Sequence, residues 1–299
     1  MRKAAIQILF CFALAAAVGL GPHGAGTAEP PIRVTDEFES EPINLERWWL
    51  GQIRRYRHWI DPDVARTGRG ALAIRVKAND DDCDGECQRN EIRIANSLRL
   101  NFGVDAWYGF SFRIDGDVPG TGSSRWVIGQ WKEETNHSPF LAQRFDNGVF
   151  HVTVEDNGCR VLVAQAEGDT ERFLALQRSR SIEAFRFLSD AWRFACDPDV
   201  RIEYGPNPIL PNPYETWIDM AYRVRGGRNE QGVVEIWANG RFIARVTGSI
   251  GHEEISGPTQ YFKIGMYRAP LPGTATIYFD NFRRGGRREE VDPSLLYPR

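Results

Sequence analysis

Apolar and polar residues alternate with period two along much of this chain, and the clearest case is Tyr261-Phe-Lys-Ile-Gly-Met-Tyr-Arg268. On a β-strand successive side chains point to opposite faces. Phe262, Ile264 and Met266 therefore form a core-facing row, and Tyr261, Lys263, Gly265 and Tyr267 share the other face. Two phenols and an ammonium around a glycine suit a wet groove. Two further stretches repeat the pattern. Gln88-Arg-Asn-Glu-Ile-Arg93 groups Arg89, Glu91 and Arg93. Trp126-Val-Ile-Gly-Gln-Trp-Lys132 groups Gln130 with Lys132, and strict period two adds Ile128 and Trp126 to their row. If the three strands are neighbours, guanidinium, amide, ammonium and phenol stand side by side. That is a site for a polyanion.

The same reading gives strands near Val34–Phe38, Leu45–Ile53, Gly70–Lys77, Ala106–Ile114, Phe140–Phe145 and Val149–Glu155. It continues with Trp217–Val224, Gly232–Ala238, Arg241–Thr247 and Thr274–Arg283. Asp146-Asn-Gly148 and Asn239-Gly240 predict tight hairpins. From Gln165 to Thr216 the pattern breaks into a short helix at Ser181–Leu188 and a Pro/Asn run, an insertion suited to a groove wall. The charged end from Gly285 to Arg299 reads as a loosely held tail. About a dozen strands without an interior linker imply two stacked antiparallel sheets, an all-β jelly-roll sandwich with a concave groove.

Residues 1–28 carry a basic start (Arg2, Lys3), an apolar run from Ala4 to Leu20 and small residues before Glu29, the form of a secretory signal peptide. The run falls short of the roughly 20 residues of a membrane span, so a free secreted or periplasmic product is expected, with no membrane partner. Residues 29–286 are then expected to form the one jelly-roll domain, with its insertion at about 165–216 and 287–299 as its tail. Without Arg2 and Lys3, 35 bases face 40 acids, a net charge of −5, which excludes a basic nucleic-acid-binding protein. Four cysteines remain after the leader. Export favours disulfides over a metal site built on Cys83, Asp84 and Cys87 near Asp80–Asp82; of the three possible connectivities the expected one is Cys83–Cys87 with Cys159–Cys196.

At these residues the chain resembles the jelly-roll polysaccharide lyases, both the alginate-lyase type and the heparin lyase I-like group. Gln88–Arg93, Gly129-Gln-Trp-Lys132 and Tyr261–Tyr267 are similar to the three signatures of that family. Trp217–Arg223, Val234–Gly240 and Tyr278–Phe282 resemble the heparin lyase I-like group. The resemblance covers Val34 to Arg284, with Gln165–Thr216 poorly matched. It implies a concanavalin-like sandwich and β-elimination at a uronic acid, with no cofactor for the chemistry. The substrate carboxylate must be neutralised, a base must take the C5 proton, and an acid must protonate the leaving oxygen. By the resemblance, Arg89 and Gln130 cradle the carboxylate and Tyr267 is acid, and base as well unless Lys132 takes that role. The family carries histidine where this chain has Lys132, and a lysine near pKa 10.4 needs a lowered pKa to act as base. His137 is an alternative. Glu91, Arg93, Arg144, Tyr261 and Lys263 complete the expected substrate contacts.

Each residue also has an ordinary reading. Arg89, Glu91 and Arg93 can form a surface ion-pair ladder, and the tyrosines can simply pack a sheet. Trp48, Trp49, Trp59 and Trp107 can stack on sugars or fill the core. Asp36, Glu37 and Asp280, on strands expected to pair near the two chain ends, can hold a structural Ca²⁺ or cap turns. No paired-carboxylate strand of a sandwich glycosidase, P-loop, dinucleotide turn or Gly-x-Ser-x-Gly is present. The expected partner is an acidic polysaccharide acted on by a monomer. The alternative is a non-catalytic carbohydrate-binding protein on the same fold.

Overall fold

The computed structural model describes residues 30–52, 57–118, 125–168, 170–179 and 181–299. The expected signal peptide lies outside them. In chain order the strands begin with β1 (Val34–Asp36), β2 (Trp48–Gln52), β3 (His58–Asp61), β4 (Ala71–Val76), β5 (Asp81–Asp82) and β6 (Cys87–Ile94). Next come β7 (Leu100–Asn101), β8 (Ala106–Gly116), β9 (Arg125–Glu133), β10 (Leu141–Asp146), β11 (Val149–Asp156) and β12 (Cys159–Gln165). The last are β13 (Val200–Tyr204), β14 (Ile218–Arg225), β15 (Gly227–Ala238), β16 (Arg241–Ile250), β17 (Thr259–Arg268) and β18 (Ala275–Gly285).

These strands form two sheets. One runs β13-β16-β15-β14-β8-β18-β4-β3 with β1 on β18, and the other runs β12-β11-β10-β9-β17-β6-β2 with β5 and β7 attached. Every ladder between named strands is antiparallel, as a jelly-roll sandwich requires. Between the sheets lies an aromatic core. Trp131 meets Phe262 at 4.6 Å and Tyr222 at 4.8 Å, and Phe262 stacks on Phe282 at 5.5 Å. Trp131 and Phe262 come from the second sheet and Tyr222 and Phe282 from the first, so these rings clamp the layers together. Both predicted hairpins form, with positive φ at Asn147, Gly148, Asn239 and Gly240, the geometry that Asn-Gly turns supply.

Two expectations are corrected. The helix of the insertion is α1 (Thr170–Ser179), and Ser181–Leu188 forms turns instead. Phe185 and Leu188 are drawn with Phe194 onto Leu162 of β12, so packing on the sheet overrides the local helical pattern. The insertion also contributes β13 as an edge strand beside β16. The C-terminal segment is not loose. Val291 and Asp292 are buried, the short helix α2 (Pro293–Leu296) is capped by Asp292, and Tyr297 reaches Glu37 and Arg283. Gly109 admits this segment, since a Cβ there would stand 1.9 Å from the Val291 carbonyl oxygen.

Both expected disulfides form, Cys83–Cys87 and Cys159–Cys196. The second spans 37 positions and pins the insertion to the start of β12. Protein lacking residues 1–28 should therefore release no titratable thiol on denaturation without reductant. Replacing Cys159 and Cys196 by serine should lower the urea-unfolding free energy by roughly 3–4 kcal/mol on the chain-entropy account. A thiol count above zero would overturn the pairing.

Candidate active site

The three polar strand faces meet. β17 lies between β6 and β9, with Tyr267 opposite Arg89 and Lys263 opposite Arg93 on one side. On the other side Tyr261 faces Lys132, Lys263 faces Gln130 and Tyr267 faces Val127. The alternation of β17 holds throughout, with Phe262, Ile264 and Met266 in the core. Gly265 sits at φ +137°, and a side chain there would collide with the Asn90 carbonyl. Its role is close approach of β6 rather than room in the groove.

On β9 the alternation breaks. Trp126 and Ile128 belong to the core together with Trp131, so they do not share the row of Gln130 and Lys132. The cause is a register shift. Ile128 is an extra residue against β10, where Gln143 pairs with Gly129 and Arg144 with Val127. Against β17, Ile128 alone stands opposite Gly265 and Met266. An extra residue reverses which face later side chains take. It turns Val127 and Arg125 toward the groove. Gly129 faces inward, where the Gln143 amide would strike any Cβ while it donates to the Tyr222 hydroxyl at 2.8 Å.

Glu91 is the hub of the site. It is buried, accepts a hydrogen bond from the Gln130 amide, and lies 3.4 Å from Arg89 Nε and 3.7 Å from Lys263 Nζ. Arg89 keeps further N–H donors and Gln130 a second one. Arg89 also lies over the Tyr267 ring at 4.5 Å. Arg93 stands between Trp49 (4.2 Å) and Tyr261 (5.0 Å), with Arg99 over the same tyrosine at 5.0 Å. Burial and the Lys263 ammonium lower the pKa of Lys132, against the pull of Glu91 and Glu133. Burial likewise lowers Lys263, with Glu91 opposing, and raises Tyr261, with Arg93 and Arg99 opposing. Among the described residues around this face, Arg89, Arg93, Arg99, Arg125, Lys132 and Lys263 stand near Glu91, Glu134 and Asp190, so cations prevail locally on a chain of net charge −3.

Sequence reasoning missed Arg125 and Arg99. Arg125 Nη2 donates to the Tyr267 hydroxyl at 3.4 Å, and its alternation with Val127 was hidden by the shift at Ile128. Trp49 is 38% exposed beside Arg93, whereas Trp48 is core and Trp59 stacks with Arg75 on the other sheet.

Two other expected contacts, Arg144 and His137, are engaged by other partners. Arg144 is opposite Val127 on the same face but buried, bound to Thr153 at 3.0 Å and 3.8 Å from Glu155. Burial and Arg160 push its pKa down to about 9. His137 sits beyond β9, stacked on His252 at 4.9 Å and 3.8 Å from Glu254. The carboxylates named for calcium are engaged by protein donors. Asp36 accepts from Trp48 and Phe38, Glu37 pairs with Arg283, and Asp280 accepts the backbone N–H groups of Arg66, Thr67 and Asn281. Burial pushes Asp280 up to about 7 despite these bonds. Among the described residues no three His, Cys, Asp or Glu side chains are placed to hold a metal ion. A cavity of about 410 Å³ lies elsewhere, between α1 and the β11–β12 strands, and holds none of these groups.

One sheet of the sandwich thus carries a cationic, phenol-bearing face. The chain belongs to the polysaccharide lyase family, whose pattern it matches over residues 40–283. No curated protein sequence matches it. Among solved structures it is similar in fold to the endo-β-1,4-glucuronan lyase of the fungus Trichoderma reesei, with TM-score 0.54, 15% identity, and 82% of this chain and 94% of that one covered. It is likewise similar to a variant of alginate lyase A1-II′, with TM-score 0.50, 15% identity, and 81% and 96% covered. Membership places the chain among polysaccharide lyases rather than non-catalytic modules.

The loop carrying His252 yields a pH prediction. His252 is buried between Glu133 (3.3 Å) and Glu155 (3.4 Å). Burial works against its charge, yet the two carboxylates push it up to about 9. Its folded pKa thus exceeds the unfolded value near 6.5, so its contribution to stability is full below about pH 6.5 and is lost as the pH climbs through about 9. Urea unfolding across that window should show stability falling in wild type and a flatter profile in His252→Gln. Glu91→Ala, which strands buried cations, should cost roughly 3–5 kcal/mol in the same assay.

Proposed function

We propose that this protein is exported and cleaves a uronic-acid-containing polysaccharide by β-elimination, with Tyr267 as both base and acid. The observation that carries the reading is the pairing of Tyr267 with Arg89 beside the Gln130–Glu91–Lys263 cluster. Two disulfides support export, and the structural neighbours are named for lyases of glucuronan and alginate.

Arg89 and Gln130, held by Glu91, offer their spare donors to the C5 carboxylate and make the C5 proton acidic. The Tyr267 phenolate takes that proton. The phenol so formed returns it to the C4 oxygen as the C4–O bond breaks and the C4–C5 double bond forms. One residue can do both where the C5 hydrogen and C4 oxygen lie on the same ring face, as in glucuronate and mannuronate. Lys132 faces Tyr261, five positions along β9 from the residue that faces Tyr267. Its task in this reading is to hold the polymer. Trp49 and Tyr261 flank Arg93 as sugar-stacking walls.

Incubation with glucuronan, mannuronate-rich and guluronate-rich alginate, pectate and glycosaminoglycans tests this by the ultraviolet absorbance of the unsaturated product. Glucuronan or mannuronate blocks should respond. Tyr267→Phe should abolish turnover while polymer retention in affinity electrophoresis stays within about threefold, since only a hydroxyl is lost. Lys132→Ala should weaken binding and spare more of kcat. A fully active Tyr267→Phe enzyme would remove tyrosine from the mechanism.

A further inference from the structure

The insertion reaches the reacting phenol through one ion-pair chain. Asp190 lies in the turn before Ala191–Phe194, in a left-handed conformation (φ +57°) that aspartate tolerates better than most residues. Its carboxylate stands 3.5 Å from Arg125 Nη1 and 3.6 Å from Arg160 Nη1. Arg160 is buried and anchored on Glu155 at 2.8 Å. Arg125 in turn lies over the Tyr267 ring at 5.3 Å and donates Nη2 to its hydroxyl at 3.4 Å. The turn itself is fixed on three sides. Ser189 binds Asp146, Asn147 donates to the Phe187 carbonyl, and Phe185, Leu188 and Phe194 bury against Leu162. The Cys159–Cys196 disulfide closes the base of the same segment.

We propose that Arg125 is a catalytic residue that stabilises the Tyr267 phenolate, and that Asp190 on the insertion is the positioning residue that holds it there. The inference rests on the reading of Tyr267 as base and acid, and it assigns the insertion a task in that reaction. A guanidinium within donating distance of the phenol oxygen is placed to offset negative charge on that oxygen during the reaction. Arg125 is the first residue of β9, where its backbone pairs with Asp146 of β10 while its long side chain extends toward Tyr267. The Asp190 carboxylate, within ion-pair distance of both guanidinium groups, supplies the brace for the side chain. A long side chain held at one end by Asp190 loses less freedom when it meets the phenol.

The sign of one measurement separates positioning from simple charge. The Tyr267 phenol can be titrated by near-ultraviolet phenolate absorbance as the difference between each protein and its own Tyr267→Phe counterpart. Removing the negative charge of Asp190 would, by itself, ease ionisation of Tyr267 and move its titration to lower pH. If Asp190 acts by holding Arg125, Asp190→Asn moves it to higher pH, lowers kcat roughly tenfold with little change in KM, and shifts the basic-side activity profile with it. Asp190→Glu should recover most of both. Arg125→Gln should lower kcat by about 10²–10³, the loss typical of one preorganised donor, and raise the titration further. Arg125→Lys retains the charge and should fall between. An unchanged or lowered titration in Asp190→Asn, or an Arg125→Gln protein altered only in KM, would overturn the proposal. Should wild type cleave no polyuronate, the lyase reading of Tyr267 fails, while the titrations still decide whether Asp190 and Arg125 control that phenol.

Discussion

One extra residue in the middle of a strand governs this molecule. Alternation along β9 would carry Trp126 and Ile128 to the solvent face if it ran unbroken from Lys132. The register shift at Ile128 lets two large apolar side chains enter the core on one side of it and Trp131 on the other. Fully burying side chains of that size is worth about 1.5–3 kcal/mol each, which makes the alternative register untenable. The same shift sends Val127 and Arg125 outward, so core packing decides which cation reaches the phenol.

Around that frame the site is an exercise in placing positive charge without losing the fold. Among the described residues cations outnumber carboxylates on this face, and the buried Glu91 touches Gln130, Arg89 and Lys263 at once. Burying an unpaired charge costs several kcal/mol, so Glu91 lets Lys263 and Arg89 sit low in the sheet. Arg93 is stacked between Trp49 and Tyr261, and Arg89 lies over Tyr267 while it pairs with Glu91. Cation–π contact holds a guanidinium in place while leaving its N–H edge open to an anionic ligand. The excess is local, and the chain as a whole stays acidic.

The insertion does work that a loop alone could not. Its small apolar cluster on Leu162 and its disulfide turn an irregular segment into a fixed wall. Glu133, His252 and Glu155 form a separate buried polar network between β9, β11 and the loop before β17. Arg160 links this network, through Glu155, to Asp190 of the wall. Rigid support on both sides keeps long cationic side chains near one geometry.

Much of this was written locally. The alternation of Tyr261–Arg268, the Asn-Gly turns and the cysteine pairs are short-range features, and physics of a few residues suffices to read them. Arg89, Glu91, Arg93, Gln130, Lys132 and the two tyrosines followed from the same period. Tertiary structure alone decided the rest. A register shift is set by what the neighbouring strands and the opposite sheet can bury, so Arg125 could not be seen in its own sequence. The turns at Ser181–Leu188 and the docked segment around Val291 depend on partners far away in the chain, Leu162 and Gly109. Charges such as Asp280 and His252 take their character from burial and distant partners, which no local pattern contains.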